Sequence, residues 1–163
     1  MSTFIINGGK PLSGSITPQG AKNEALQVIC AVLLTPEKVI IRNIPNIRDV
    51  NKLIELLADL GVKVEKLGPN DYSFHADEVN LGYLDSPAFK QKGAALRGSI
   101  MIVGPLLTRF GRGYIPRPGG DKIGRRRLDT HFIGFQNLGA DFEYDDSASF
   151  YKVTSKRLQG TYM

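Results

Sequence analysis

An internal duplication is the feature that most constrains how this chain of 163 residues can fold. The segment Leu60–Glu65 (Leu-Gly-Val-Lys-Val-Glu) matches Leu138–Glu143 (Leu-Gly-Ala-Asp-Phe-Glu), and the apolar residue Leu57 keeps the same spacing as Phe135. Around these segments each copy has the pattern helix–strand–helix–strand–strand, which predicts an α/β (α+β) fold made of repeated units. One such unit has a single apolar face, so neighbouring units must stack to form a core.

The predicted domain organisation follows from the two copies. Residues 1–21 alternate apolar and polar positions around glycine turns and are expected to form N-terminal strands. Repeat one is predicted over about residues 22–80 and repeat two over about residues 88–155. Because the final residues resemble the extended start of a third unit, we expect 22–163 to be an incomplete domain, truncated after about two units of a longer protein.

Helices are predicted from apolar spacing and from residues that begin or end helices. In repeat one a mostly buried helix is expected over residues 22–34, and Asn46 is expected to cap the next helix, which Gly61 closes. In repeat two one continuous helix is expected over residues 89–109, and Gly111 ends it.

Composition excludes several classes of protein. Hydrophobic residues make up 42% of the chain and charged residues 23%, which is unlike collagen, coiled coils or disordered chains. The apolar runs are too short to span a membrane, and the N-terminus lacks the pattern of a signal peptide. The single cysteine, Cys30, lies in an apolar segment, so we expect a buried, inert thiol in a cytoplasmic protein. No metal-ligand cluster and no cofactor-binding motif occurs in the sequence.

Basic residues are concentrated in one segment. The net charge is +5, and seven basic residues but a single acid, Asp121, fall within residues 109–127. Such a local field attracts phosphate groups. A nucleic-acid-binding module is one alternative, but it predicts interleaved aromatic residues for base stacking, and only Phe110 and Tyr114 occur there.

Three segments are candidates for chemistry, and each has a structural alternative. Lys22 and Asn23 begin a helix after a glycine, a place that favours anions but where lysines are common. Arg97 follows small residues and either lies along the helix surface or holds a phosphate or carboxylate. The segment 116–131 combines glycines with arginines before a helix, and is either a solvated basic loop or a phosphate-binding loop.

These segments resemble one enzyme family. Three sequences resemble UDP-N-acetylglucosamine enolpyruvyl transferases: Gly-Ala-Lys-Asn-Glu-Ala-Leu at 20–26, Leu-Arg-Gly-Ser-Ile at 96–100 with the apolar run after it, and Pro-Gly-Gly-Asp-Lys-Ile-Gly-Arg-Arg-Arg-Leu-Asp-Thr-His at 118–131. The family pattern for the last segment is PGGCxIGxRPxDxH. The resemblance runs over the whole chain, but family members are more than twice as long. It implies two domains, each of three repeats packed with pseudo-threefold symmetry.

The resemblance also implies roles for single residues. Lys22 and Asn23 would contact phosphoenolpyruvate, and Arg97 would hold the UDP-sugar. Arg126 would reach the phosphate of phosphoenolpyruvate, and Asp129 would accept a hydrogen bond from the uracil ring. The stretch that would line the nucleotide consists of Arg126, Arg127, Leu128, Asp129 and Thr130.

Two positions depart from the family pattern. Asp121 stands where most members have cysteine, and Arg127 stands where most have proline. Some members carry aspartate at the first position, so the assignment stands. The reaction needs a general acid at the methylene carbon of phosphoenolpyruvate, and Asp121 is the candidate for this catalytic role. Because aspartate is a poor nucleophile compared with a thiolate, we also expect insensitivity to fosfomycin, which alkylates the cysteine.

The resemblance implies that the catalytic base and a second arginine for phosphoenolpyruvate lie beyond Met163. We therefore expect the isolated chain to be inactive, to lack the C-terminal part of the same protein as a partner, and to self-associate through exposed apolar faces. Its expected ligands are phosphoenolpyruvate and UDP-N-acetylglucosamine, with no nucleic acid and no membrane. A shikimate-pathway enolpyruvyl transferase is the alternative within this architecture, but it lacks the motif at 118–131.

Overall fold

The structure, a computed structural model, describes residues 3–116, 127–146 and 150–162. Helices and strands follow one another in the order expected from the duplication. The first unit consists of α1 (Lys22–Val28), a 3₁₀ helix (Cys30–Leu34), β1 (Lys38–Ile41), α2 (Arg48–Asp59), β2 (Lys63–Lys66) and β3 (Tyr72–His75). A 3₁₀ helix (Leu81–Asp85) and α3 (Pro87–Ala94) lead to the second unit. The second unit consists of a 3₁₀ helix (Arg97–Ile102), α4 (Val103–Phe110), β4 (Arg112–Pro116), α5 (Asp129–Asn137), β5 (Asp141–Asp145) and β6 (Phe150–Thr154).

The two units have the same sheet topology. Each forms a three-stranded antiparallel sheet with its last strand in the centre, in the orders β1-β3-β2 and β4-β6-β5. In the first sheet His75 faces both Lys38 and Lys63. In the second sheet Thr154 faces both Arg112 and Asp141 in the same way. The repeated helix–strand–helix–strand–strand unit expected from the sequence is therefore confirmed, and the strands of both copies pair in the same order.

Glycines end the helices where the sequence predicted. Gly61 after α2 has φ 97°, Gly111 after α4 has φ 70° and Gly139 after α5 has φ 87°. This left-handed conformation is accessible to glycine without steric strain. At Gly61 a Cβ atom would also lie 2.5 Å from the carbonyl oxygen of Glu78, so a side chain is excluded for a second reason.

The predicted continuous helix over residues 89–109 is wrong. Instead, α3 ends at Ala94, Leu96 is extended with φ −130°, and a 3₁₀ helix precedes α4. The buried Ser99 hydroxyl lies 2.8 Å from the carbonyl oxygen of Gly93 and 2.7 Å from that of Leu96, so it adds a side-chain donor to the backbone hydrogen bonds at the break.

Two predictions in the first unit also need correction. The helix expected over residues 22–34 is α-helical only to Val28 and continues as a 3₁₀ helix from Cys30. Asn46 does not cap α2, because the N-cap residue is Ile47 and the Asn46 side chain accepts a hydrogen bond from Asn51 Nδ2 at 2.9 Å.

Residues 3–19 form neither helix nor strand, contrary to the strands expected there. A strand needs a hydrogen-bonded neighbour, and none of the six described strands pairs with this segment. Its large apolar side chains are 84–101% exposed, namely Phe4, Ile5, Ile6, Leu12 and Ile16.

The core consists of two clusters that share one helix. Leu106 of α4 packs in the larger cluster with the first unit. Val103 and Leu107 of the same helix pack in the smaller cluster with Ile115 and Val153 of the second sheet. None of the nine residues of α5 is buried, so the second unit is covered less completely than the first.

Candidate functional site

A pocket of about 370 Å³ lies between the two units, where α1 and the 3₁₀ helix Arg97–Ile102 both begin. Lys22 and Asn23, the first residues of α1, line it together with Arg97. The structure therefore brings together three of the residues predicted for substrate binding. The remaining lining residues are Leu26, Gln27, Asp49, Ala95, Leu96, Gly98, Ile100 and Met101.

A glycine allows the two helices that form the pocket to approach each other. A Cβ atom at Gly98 would lie 3.1 Å from Leu26 Cδ1 and 3.3 Å from Leu26 Cδ2, which is closer than ordinary van der Waals contact. Leu26 is buried in the core below the pocket. The contact between Gly98 and Leu26 thus places Arg97 beside the start of α1.

Asn23 and Arg97 occupy equivalent positions in the two units. Asn23 and Arg97 are separated by the same number of residues as the buried residues Leu33 and Leu107. The first residues of β1 and β4, Lys38 and Arg112, are also separated by this number. The start of the first helical segment of each unit therefore contributes to the pocket. The internal duplication of the sequence already contains this equivalence.

Asp49 is a pocket residue that the sequence interpretation missed. It lies in the first turn of α2, and its Oδ2 is 2.5 Å from Lys22 Nζ. An acidic residue in a first helical turn is common because it complements the helix dipole, so nothing in the local sequence marks it as part of a site. The charged lining residues are thus two cations and one carboxylate.

The other predicted binding residues lie elsewhere or outside the described residues. Arg127 and Asp129 are exposed at the start of α5, and neither lines the pocket. Arg127 Nη1 lies 3.6 Å from Asp129 Oδ2. Thr130 is also exposed, whereas Leu128 is half-buried against the smaller core cluster. Asp121 and Arg126 fall within residues 117–126, which lie outside the described part of the chain.

The described residues offer no evident metal site, because among them no group of three or more His, Cys, Asp or Glu side chains is arranged to hold a metal ion. No helix in residues 3–116, 127–146 or 150–162 has the length and apolar character needed to cross a membrane. His75 lies away from the pocket, with Nδ1 3.6 Å from Asp77 Oδ1.

The chain is similar to curated relatives over its whole length. It is 60% identical over 163 residues to a UDP-N-acetylglucosamine 1-carboxyvinyltransferase of Bacteroides thetaiotaomicron, and 55% identical to a protein of the same name from Porphyromonas gingivalis. All of the chain is covered in both comparisons, but it spans only 38% of each relative.

Solved structures show the same fold at low sequence identity. The enolpyruvyl transferase NikO from Streptomyces tendae matches with a TM-score of 0.72 at 18% identity, covering 93% of this chain and 32% of that one. An EPSP synthase from Acinetobacter baumannii matches with a TM-score of 0.62 at 16% identity, over 91% of this chain and 33% of that one. The enolpyruvyl transferase fold expected from the sequence is therefore confirmed. The family described as EPSP synthase (3-phosphoshikimate 1-carboxyvinyltransferase) matches residues 6–163, and the chain belongs to this family.

Proposed function

We propose that this chain forms one wall of the active site of a UDP-N-acetylglucosamine 1-carboxyvinyltransferase. The reaction transfers the enolpyruvyl group of phosphoenolpyruvate to the 3′-hydroxyl of UDP-N-acetylglucosamine and releases phosphate, as a step in making peptidoglycan precursors. Identity of 60% over the whole chain to a relative of that name is the observation that carries the proposal. The joint position of Lys22, Asn23 and Arg97 in one pocket supports it.

The charge of the pocket suits both substrates. Phosphoenolpyruvate carries a phosphate and a carboxylate, and the UDP-sugar carries a diphosphate. Lys22 supplies an ammonium with three donors, and Arg97 supplies a guanidinium with a fixed pair of parallel donors suited to phosphate or carboxylate. Asn23 adds an uncharged side chain able to donate and accept hydrogen bonds. These groups orient the substrates and stabilise charge in the transition state.

We assign the proton donor to Asp121. In the first step the sugar oxygen bonds to C2 of phosphoenolpyruvate while C3 receives a proton from the Asp121 carboxyl group. A proton is then lost from C3 as the C2–O bond to phosphate breaks, which restores the double bond. Arg126 would bind the phosphate, and the stretch Arg127–Thr130 would line the nucleotide. The base that takes the hydroxyl proton is assigned to a part of the protein other than this chain.

The domain arrangement is part of the proposal. Residues 22–163 would be an incomplete first domain, and residues 1–21 would pair with a second domain that closes the site. The fully exposed apolar side chains of Phe4 and Leu12 support this pairing, because such side chains are stabilised by burial. With one wall only, substrates are neither oriented from both sides nor shielded from water, so the chain alone would not catalyse transfer. We place the reaction in the cytoplasm.

A fusion protein tests this function. The chain is joined to the C-terminal part of the Bacteroides thetaiotaomicron relative, in place of that protein's own matching segment. We expect phosphate release that requires both phosphoenolpyruvate and UDP-N-acetylglucosamine, and no release with the chain alone. The relative itself serves as the positive control. A soluble, folded fusion protein without turnover would contradict the proposed function.

Variants of the same fusion protein test Asp121. Asp121→Asn keeps the shape but removes the donated proton, so turnover should fall by about 10²- to 10⁴-fold. Asp121→Cys should keep activity and become sensitive to fosfomycin, whereas the parent is insensitive. Cys30 serves as an internal control, since burial raises the pKa of its thiol to about 12 and it should take up no drug. An Asn variant with the parent rate would assign the proton donor elsewhere.

The two alternatives have distinct readouts. A shikimate-pathway transferase would turn over shikimate 3-phosphate in place of the UDP-sugar. The family description covers such enzymes, but the relatives that are 60% and 55% identical to this chain bear the name of the UDP-sugar enzyme. A nucleic-acid-binding module would bind single-stranded oligonucleotide more tightly than UDP-N-acetylglucosamine at moderate salt. We expect the reverse order of affinity in a titration with both ligands.

A further inference from the structure

We propose that Asp49 is a positioning residue that holds the Lys22 ammonium in place for the phosphate of the substrate, an inference that rests on the function proposed above. The ion pair that carries it joins Asp49 Oδ2 and Lys22 Nζ at 2.5 Å. Both residues line the same pocket as Arg97. The side chains are 42% and 39% exposed, for Lys22 and Asp49 respectively, so the pair lies at the pocket wall and is open to ligands.

The carboxylate is the better anchored of the two partners. Asp49 precedes Val50, which is completely buried, and α2 is fixed further along by the buried residues Leu53 and Leu57. Lys22 is the first residue of the seven-residue helix α1 and has a flexible four-carbon side chain. The position of the Lys22 ammonium is therefore set by α2 through Asp49.

The ion pair leaves the ammonium able to bind substrate. An ammonium group has three N–H donors, and an ion pair with a single carboxylate oxygen of Asp49 cannot occupy all of them. The other donors remain available for a phosphate or carboxylate oxygen. At the same time the negative charge of Asp49 weakens the attraction of the pocket for an anion. Asp49 thus lowers ground-state affinity for the substrate and improves the orientation of Lys22 in the transition state.

These two effects predict opposite changes when the charge is removed. In the active fusion protein, Asp49→Asn should lower kcat by about tenfold, since a misplaced catalytic group slows the reaction. The KM for phosphoenolpyruvate should fall by about threefold, the size expected for one exposed charge. Asp49→Glu keeps the charge, and both constants should stay within about threefold of the parent values.

A purely structural role gives a different result. Asp49 also complements the dipole of α2, so its loss destabilises the helix start. Loss of folded protein would lower kcat and leave KM unchanged. Asp59→Asn is the matched control, because Asp59 is another carboxylate of α2 that pairs with a lysine, Lys92, but it does not line the pocket. This control should leave both constants within about twofold of the parent.

Binding of inorganic phosphate gives a second measurement that needs no turnover. Titration calorimetry should show Asp49→Asn binding phosphate about threefold more tightly than the parent, with Asp59→Asn unchanged. An inactive parent fusion protein would contradict the proposed function, whereas this titration still tests Asp49. The positioning role is overturned if kcat is unchanged in Asp49→Asn, if kcat falls with unchanged KM, or if phosphate affinity does not rise.

Discussion

The guanidinium Nη1 of Arg109 donates a hydrogen bond to the carbonyl oxygen of Ala76 at 2.8 Å, which joins the last turn of α4 to the end of the first sheet. The same nitrogen lies 3.2 Å from the carbonyl oxygen of Leu33 and 3.1 Å from that of Thr35, where the first 3₁₀ helix ends. One side chain of the second unit thus satisfies three backbone acceptors of the first. Arg109, part of the basic segment identified in the sequence, has a role in joining the units.

Arg109→Ala should destabilise the chain by about 2 to 3 kcal/mol, because it removes a charged donor from half-buried carbonyl groups. Arg109→Lys should retain only part of the stability that Arg109→Ala loses, since an ammonium group lacks the planar array of N–H donors of a guanidinium. Urea unfolding followed by circular dichroism measures both. Arg48→Ala, at an exposed position, is the control and should change stability by less than about 0.5 kcal/mol. Equal unfolding midpoints for Arg109→Ala and the control would show that the hydrogen bonds of Arg109 do not contribute to stability.

Gly20→Ala should destabilise the start of α1, where Lys22 lies. A Cβ atom at Gly20 would be 2.0 Å from the carbonyl oxygen of Asn43 and 3.1 Å from Pro45 Cδ, so the backbone must move. We expect a loss of about 1 to 3 kcal/mol in thermal or urea unfolding.

Gly8→Ala is the matched control for this substitution. Gly8 lies in the exposed N-terminal segment, and a Cβ atom there has no atom within 4 Å. Its unfolding midpoint should match that of the parent. If Gly20→Ala behaved like Gly8→Ala, the close approach to Asn43 would not constrain the chain.

Stability should fall on acidification partly through Asp85. The hydroxyl of Tyr114, followed by Arg112 at 2.8 Å, lowers the pKa of the Asp85 carboxyl below its ordinary value, against the opposite effect of burial. A carboxyl with a lowered folded-state pKa stabilises the fold above its unfolded pKa of about 3.9, and that contribution is lost as the pH falls through the folded value.

Unfolding in urea at about pH 5 and about pH 2.5 measures this contribution. As the pH falls from the higher to the lower value, the parent should lose more stability than Asp85→Asn, because the side chain at position 85 no longer titrates in the variant. Tyr114→Phe removes the hydroxyl but keeps the aromatic ring, whose centroid lies 6.4 Å from that of the Phe89 ring. Its loss of stability on acidification should lie between those of the parent and Asp85→Asn. An Asp85→Asn variant with the same pH dependence as the parent would contradict the assignment.

The chain in isolation should self-associate through residues 3–19. Phe4 is 90% exposed and Leu12 is 101% exposed, far more apolar surface than a stable monomer usually presents. Size-exclusion chromatography with light scattering should give a mass above the monomer value of 17.9 kDa. Deleting residues 1–19 should shift the population towards monomer. A parent chain that stays monomeric at high concentration would refute this prediction.

The sequence by itself determined the features that depend on local pattern. The duplication, the strands of the two sheets, the glycines that end α2, α4 and α5, and the burial of Cys30 all follow from residue spacing and from conformations that glycine alone adopts easily. Lys22, Asn23 and Arg97 were found because they fall within motifs that resemble a known family, and the fold then placed them in one pocket.

Tertiary structure decided the features that depend on contacts between distant segments. Asp49 reaches Lys22 only because α1 and α2 pack together, and Gly98 matters only because Leu26 lies against it. The break at Leu96 is stabilised by the Ser99 hydroxyl and by burial of Leu96, which outweigh the helical spacing of the segment. Residues 3–19 alternate like strands, but alternation cannot supply the neighbouring strand that their backbone requires.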